Sequence, residues 1–464
     1  MSWRVVATLM LAAWGALAFG AVYPWAFMPL FAGCAAVGGA ALLGRNGMGK
    51  IEWFLASALA LLVVAASLQL VPVSVSSIRW ISPETDVVLR RYAIGYPSRE
   101  AYPLSIAPRA TMVGLAAAGA LGVLLLGLAR SLTRADTLQI ARGTTVLGVV
   151  LAVAGMAQKA MWNGKIYGFW TPIEAGDSFG PFVNRNHFAG WMLMALPFAV
   201  SYFCARVARG MRQVKPGWRN RLVWFSSADA SETILVGFAV LLMALALTLT
   251  MSRSGMLGLL AALVISGWFV ARRQATGARR ALAAGYLVFV AIAAVAWTGF
   301  DRIAARFAEN GTADIGGRFG IWADTWHLAG RFPIVGTGLN TYGAATLFYQ
   351  TVEPTYHYAE AHNDYLQLLA EGGALVCIPA ALAILAFAWT VRCRFLEVSV
   401  QSSDYWIRVG AITGILAIAL QEISDFSLQM PGNAVLFVLL CGIAARQPSR
   451  SRLATHPSQR ECPA

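Results

Sequence analysis

Apolar residues fall in long unbroken runs along this chain, without the alternation of a surface strand or the one-sided stripe of a soluble helix. A helix needs about 20 apolar residues to cross a bilayer. Runs of that kind lie near residues 5–20, 24–43, 52–71, 111–129, 143–162, 187–206, 232–250, 255–271, 281–299, 364–390, 407–423 and 430–445. The pattern predicts about twelve transmembrane helices, the first two short and close together. Arg4 followed by an apolar run has the outline of a signal peptide, but further spans follow at once, so this segment is read as a first, uncleaved helix. Three polar segments interrupt the runs, at 72–110, 163–186 and 300–363, and the last is the largest. Within it Phe319, Trp322 and Trp326 recur at helical spacing. They predict an amphipathic helix that begins at Arg318, ends before Pro333 and lies on the membrane surface. The following Gly336-Thr337-Gly338-Leu339-Asn340 predicts a turn. No internal or inverted repeat of the kind found in secondary transporters is visible.

Composition agrees. The 464 residues are 58% hydrophobic and 12% charged, against about 25% charged in soluble domains. The expected fold is an all-α polytopic membrane protein. The net charge of +14 changes the picture only through its placement. With the N-terminus in the cytoplasm, 23 of the 36 Lys and Arg fall in the inside loops and termini, as the positive-inside rule requires. Both termini are then cytoplasmic and the 300–363 loop is periplasmic. Residues 1–446 form the membrane domain, and 447–464, polar and rich in Pro and Ser, a disordered cytoplasmic tail. No basic tract interleaved with aromatics sits on a soluble module, which excludes nucleic acid as a partner. The six cysteines show neither CxxC spacing nor a neighbouring His, so they indicate no metal site and no disulfide framework outside the membrane.

The candidate chemistry collects on the predicted outer face. Ala361-His362-Asn363-Asp364-Tyr365 packs an imidazole, an amide, a carboxylate and a phenol where the largest loop meets an apolar run. Ionisable groups at such a border are costly to desolvate and mark a site, although an interfacial belt is the plainer alternative. Arg253 lies in the very tight turn Met251-Ser252-Arg253-Ser254-Gly255, where snorkelling to lipid phosphate is the competing role. Arg318 would sit at a helix start, which favours anions, or touch headgroups. Asn184, Asn186 and His187 precede another helix from the same side, where Asn184 and His187 read first as helix caps. Asp425, between the last two helices, reads as a partner for an arginine. His327 and His357 read as interfacial. Arginines with a histidine, and no paired-carboxylate motif, suit a diphosphate leaving group neutralised by guanidinium instead of metal, with the imidazole orienting or deprotonating an attacking hydroxyl.

Asn184-Arg185-Asn186-His187, Ser252 to Gly255, Gly317-Arg318-Phe319-Gly320-Ile321-Trp322, Phe332 to Gly338, Ala361 to Tyr365 and Asp425 to Pro431, taken in order and on one membrane side, resemble the O-antigen ligase and polymerase superfamily. The resemblance covers roughly residues 180–440. It implies a GT-C-like glycosyltransferase of the bacterial inner membrane, with one large periplasmic loop and the active site facing the periplasm. It implies transfer of a glycan from an undecaprenyl-diphosphate carrier to an acceptor hydroxyl, on a glycan or lipid-linked glycan, without metal or cofactor. Carried over by position, Arg253 and Arg318 would bind the diphosphate and His362 would position or activate the acceptor. Asn184, Asn186, His187, Asn363, Asp364 and Asp425 are candidate substrate-binding residues. His357 and Glu360 belong to no such pattern. A polysaccharide polymerase and a protein-glycosylating enzyme fall in the same superfamily. A flippase of lipid-linked sugars is the alternative from another class, which spans nearly free of charge disfavour, and a non-catalytic scaffold is a third.

Overall fold

The computed structural model describes residues 1–43, 49–172, 177–210, 226–273, 313–353, 355–398 and 402–447, with single positions between 214 and 224 and at 285, 288, 289 and 292. Among the described residues, the fold is all-α apart from one two-stranded antiparallel ribbon, Pro72–Ser74 with Ala101–Pro103. The first long helices are α1 (Trp3–Leu17), α2 (Pro24–Leu42) and α3 (Lys50–Leu68). Two short helices, α4 (Val75–Ile81) and α5 (Pro83–Tyr92), occupy the first polar segment. Then come α6 (Pro108–Ser131), α7 (Arg134–Ala160), α8 (Arg185–Gly210), α9 (Ala228–Leu249) and α10 (Arg253–Arg273). In the largest polar segment lie α11 (Ala313–Arg331) and α12 (Tyr342–Tyr349), and the chain returns through α13 (Asp364–Leu396), α14 (Ser403–Gln421) and α15 (Pro431–Ala445). Among the described residues, eight helices are long and apolar enough to cross a membrane, and α1, α15 and the Arg253–Phe269 part of α10 are shorter apolar helices. Eleven of the twelve predicted runs therefore coincide with described apolar helices. The run at 281–299, residues 300–312 of the largest loop and the tail from 448 onward lie outside the described residues.

The centre of the bundle is α8, whose spanning window is 89% buried against 28–67% for the other candidate spans. It is apolar all round because it meets protein on every side, with Trp191, Phe188 and Phe198 fully enclosed. Without a hydrophobic drive between helices in lipid, close approach depends on small residues. Gly15 of α1 faces Gly432 of α15 so closely that a Cβ on Gly15 would lie 2.7 Å from the Gly432 Cα. Around the α13–α14 connection, charges are buried in pairs. Arg446 reaches Asp404, Arg408 donates to the Ala444 carbonyl at 2.6 Å and lies 3.6 Å from Asp404, and Arg394 meets Glu52 at 3.3 Å.

Two expectations are corrected. The helix in the largest loop begins at Ala313, not at Arg318. Arg318 is the sixth residue, beyond the four free amides of a helix start, so its backbone offers no anion site. Two helical glycines cost about 2 kcal/mol relative to alanine, and Gly316-Gly317 are carried because the following turns bury Ile321, Thr325, Leu328 and Ala329. Of the aromatic residues that suggested the helix, Phe319 and Trp326 are exposed and Trp322 is half-buried.

The second correction concerns α13. The run at 364–390 holds a fully desolvated carboxyl, Glu371, and the helix breaks at Gly373 (φ 52°, ψ −163°). Backbone freed inside a bundle must find partners, and the Pro333–Gly338 segment supplies them. The Thr337 amide donates to the Ala370 carbonyl at 3.0 Å, and that of Gly338 to Glu371 at 2.9 Å. The amides of Ala374 and Leu375 donate back to Pro333 and Ile334 at 2.9 and 2.8 Å. Gln69 at the end of α3 bridges the same place, donating to the carbonyls of Val335 and Glu371 at 2.7 and 2.8 Å. Only glycine fits here: a Cβ on Gly336 would lie 2.1 Å from the Glu371 carbonyl oxygen.

Candidate active site

The α14–α15 connection, Glu422 to Met430, is the hub on which the predicted site segments meet. Ser424, Asp425 and Phe426 each hold a different arm. Arg318, from α11, donates to the Ser424 carbonyl at 2.6 Å. Ser254, the second residue of α10, donates to the Asp425 carboxylate at 3.1 Å. His362 and His187 stand edge-on to the Phe426 ring, with centroids 4.7 and 4.8 Å away. Further along, Ser427 donates to the Asn186 carbonyl at 3.3 Å, and Gln429 to the Asp364 carboxylate at 2.6 Å.

Local sequence explains how each arm is presented. Between α9 and α10 the turn is so short that Met251 adopts φ 53°. Ser252 caps α10, its hydroxyl accepting from the Gly255 amide at 3.2 Å, so Arg253 is the first helical residue. Asn184 caps α8 through the Asn186 amide at 2.8 Å, and Asn433 donates to the His187 carbonyl at 2.9 Å. Asn363 caps α13, accepting from the amides of Tyr365 and Leu366 at 3.1 and 3.0 Å. His362, one residue earlier, is held at φ 52°. Left-handed backbone at a non-glycine residue costs of order 1–3 kcal/mol and persists only where surroundings enforce it. Two of the strained positions of the described chain thus lie at His362 itself and two residues before Arg253.

Asn184 therefore serves its helix start. His187 is buried and its Nε2 has no hydrogen-bond partner. His357 lies elsewhere, on the Gly343 carbonyl at 2.7 Å, and His327 is exposed. Asp425 is fully buried. Burial raises its pKa, an effect opposed by the Phe426 amide, by the facing Arg318 guanidinium and by Ser254 and Ser427. Among the described residues no three His, Cys, Asp or Glu side chains are placed to hold a metal ion.

Several polar residues of the site escaped the pattern reading. Gln421 reaches the Asn186 carbonyl, Ser254 and Ser427 at 3.3, 3.4 and 3.3 Å. Gln367 links Gln429 at 3.0 Å to Glu371 at 3.3 Å. Glu371 in turn accepts from the amides of Asn340 and Tyr342 at 2.8 and 2.9 Å. Glu422 is buried beside Asp364, whose amide donates to the Glu422 carbonyl at 3.1 Å. The signal for Glu371 was present: a carboxylate inside an apolar run, followed by two glycines. For Glu422 the cue was a carboxylate at the end of the 407–423 run, three residues before Asp425.

Residues 238–381 match the family model described as O-Antigen ligase. The match takes in Arg253, Arg318, His362 and the broken helix, and it supports assignment to an O-antigen ligase-like superfamily. No curated protein sequence matches the chain significantly.

Proposed function

From an O-antigen ligase-type membrane enzyme as premise, we propose that the protein transfers a glycan from an undecaprenyl-diphosphate carrier to an acceptor hydroxyl on the periplasmic face, without metal. The supporting observation is that Arg318, His362, His187 and Ser254, the neighbour of Arg253, all reach the one short connection that carries Asp425. The acceptor oxygen attacks the anomeric carbon while the bond to the carrier diphosphate breaks. Arg253 and Arg318 neutralise the departing diphosphate, and His362 orients the hydroxyl and takes its proton. Asn186, Asn363 and Asp364 remain the candidate substrate-binding residues beside them. Twelve spans, cytoplasmic termini and a periplasmic 300–363 loop complete this reading.

One observation favours a second reading. A broken helix with a buried carboxyl, as at Gly373 and Glu371, is what a transporter of lipid-linked glycans would use. In this chain the freed backbone groups are already taken by Pro333–Gly338, which supports a fixed scaffold. Vesicles holding the purified protein and a fluorescent undecaprenyl-diphosphate glycan separate the readings. Glycan appearing on an added acceptor supports transfer. Donor crossing the bilayer with no new product overturns it. Product on a second carrier-linked glycan alone identifies a polymerase.

A further inference from the structure

Glu422 is 1% exposed; no donor lies within hydrogen-bond geometry of either carboxyl oxygen, and the backbone amide that acts on the carboxyl is that of Leu428. Yet this carboxyl lies within hydrogen-bonding reach of the Asp364 carboxyl. Two ionised carboxylates have no proton to share, so one of the pair carries it. Asp364 already accepts from Gln429 at 2.6 Å, and an accepted hydrogen bond favours the ionised form. Glu422 has no side-chain donor and is the more deeply buried of the two, and the proton therefore resides on Glu422.

The surroundings give this proton a purpose. Facing Glu422 are Asp364 and Tyr365 from α13, Asp425 from its own connection, and Arg318, anchored two residues away at Ser424. Three ionised carboxylates would outweigh the two site arginines and repel a diphosphate. One proton restores the balance. The same contact pins the start of α13, because the Asp364 amide rests on the Glu422 carbonyl at 3.1 Å, and His362 is mounted two residues before Asp364.

We propose that Glu422 is a positioning residue that works in its protonated form: it donates to Asp364, fixes the segment carrying His362 and leaves Arg253 and Arg318 free of competition for the donor's diphosphate. The part concerning diphosphate rests on the transferase reading. Burial, and then the neighbouring Asp364 and Asp425, push the Glu422 pKa up. The proton is therefore present at neutral pH and lost on the alkaline side.

Two measurements on the full-length protein test this separately. Infrared spectroscopy of the enzyme without substrate should show the carbonyl stretch of a neutral carboxylic acid, lost in Glu422→Gln. Its absence in the wild type, or its persistence in the variant, overturns the proposal whatever the enzyme transfers. With donor and acceptor, the wild-type donor KM should rise about tenfold on the alkaline side while kcat changes much less. In Glu422→Gln, whose amide still donates but cannot ionise, that rise should vanish, and transfer should exceed that of Glu422→Ala at least tenfold at neutral pH. An alkaline KM rise equal in wild type and Glu422→Gln overturns it. Transfer absent in the wild type, with the infrared band present and lost in Glu422→Gln, counts against the transferase reading alone.

Discussion

His362 occupies a strained backbone position beside Phe426, and that placement sets the demands on any replacement. A group that accepts the acceptor's proton acts in the transfer step, and its loss should cost about 10²–10⁴ in rate. His362→Ala should therefore abolish measurable transfer while donor binding persists, which equilibrium binding of the carrier-linked glycan would report. His362→Gln can hold a hydroxyl but cannot take its proton, so activity near wild type in that variant would reduce His362 to positioning. Arg318→Lys and Arg253→Lys keep the charge but lose the planar fork. Each should lose most activity with expression unchanged, and near-normal turnover in both would demote them to headgroup contacts. Glu422 adds a prediction for stability. An acid raised in the folded state binds more protons than the unfolded chain above its ordinary value near 4.3. Its contribution is complete below that value and is lost as pH rises through the raised one. Thermal unfolding in detergent should therefore show a decline toward alkaline pH that Glu422→Gln lessens; identical slopes would contradict it.

Elements differ in how far the sequence announces them. Spans were legible because bilayer thickness sets a length that composition reveals directly. That Arg253, Arg318 and His362 belong to one end of the bundle was legible because the order of the spans fixes which connections share a side. The hub at 422–430 was only partly so, since Asp425 was singled out while Glu422 and Gln421 were not. Contacts such as Gln421 to Asn186 join positions 235 residues apart, and no local pattern encodes them. The start of α11 was misplaced for a related reason: its buried face is defined by what packs on it, whereas two of the conspicuous aromatics, Phe319 and Trp326, are exposed. The break in α13 is the clearest case of an element made by tertiary contact. A Cβ at Gly373 would lie 2.6 Å from the Gly336 nitrogen and 2.7 Å from the Ile334 carbonyl, both backbone atoms that cannot yield. Strain and overpacking together should cost about 2–4 kcal/mol in Gly373→Ala. Gly119→Ala in α6, where nothing lies within 4 Å, serves as the comparison. Equal melting temperatures for the two variants would mean that the loop does not clamp the broken helix.

At the scale of the whole molecule, the starts of α8, α10, α13 and α15 and the end of α14 gather at one end of the bundle, while Asp404, Arg408 and Arg446 are buried at the other. By the Lys and Arg distribution, the Asp404 end is expected to be the cytoplasmic one. A reporter fused after Ser449 should behave as cytoplasmic and one inserted within 305–311 as periplasmic; both on one side would break the link between the site and the outer face. The central claim is that this end of the bundle moves a glycan off a diphosphate carrier by arginine and histidine chemistry. Its most direct test is product formation by purified protein after exhaustive chelation, from an undecaprenyl-diphosphate-linked glycan and an acceptor, beside His362→Ala under identical conditions. Chelated wild type should release undecaprenyl diphosphate and glycosylate the acceptor while the variant does neither. Transfer that requires added Mg²⁺ or Mn²⁺, or that proceeds equally in His362→Ala, would contradict the account.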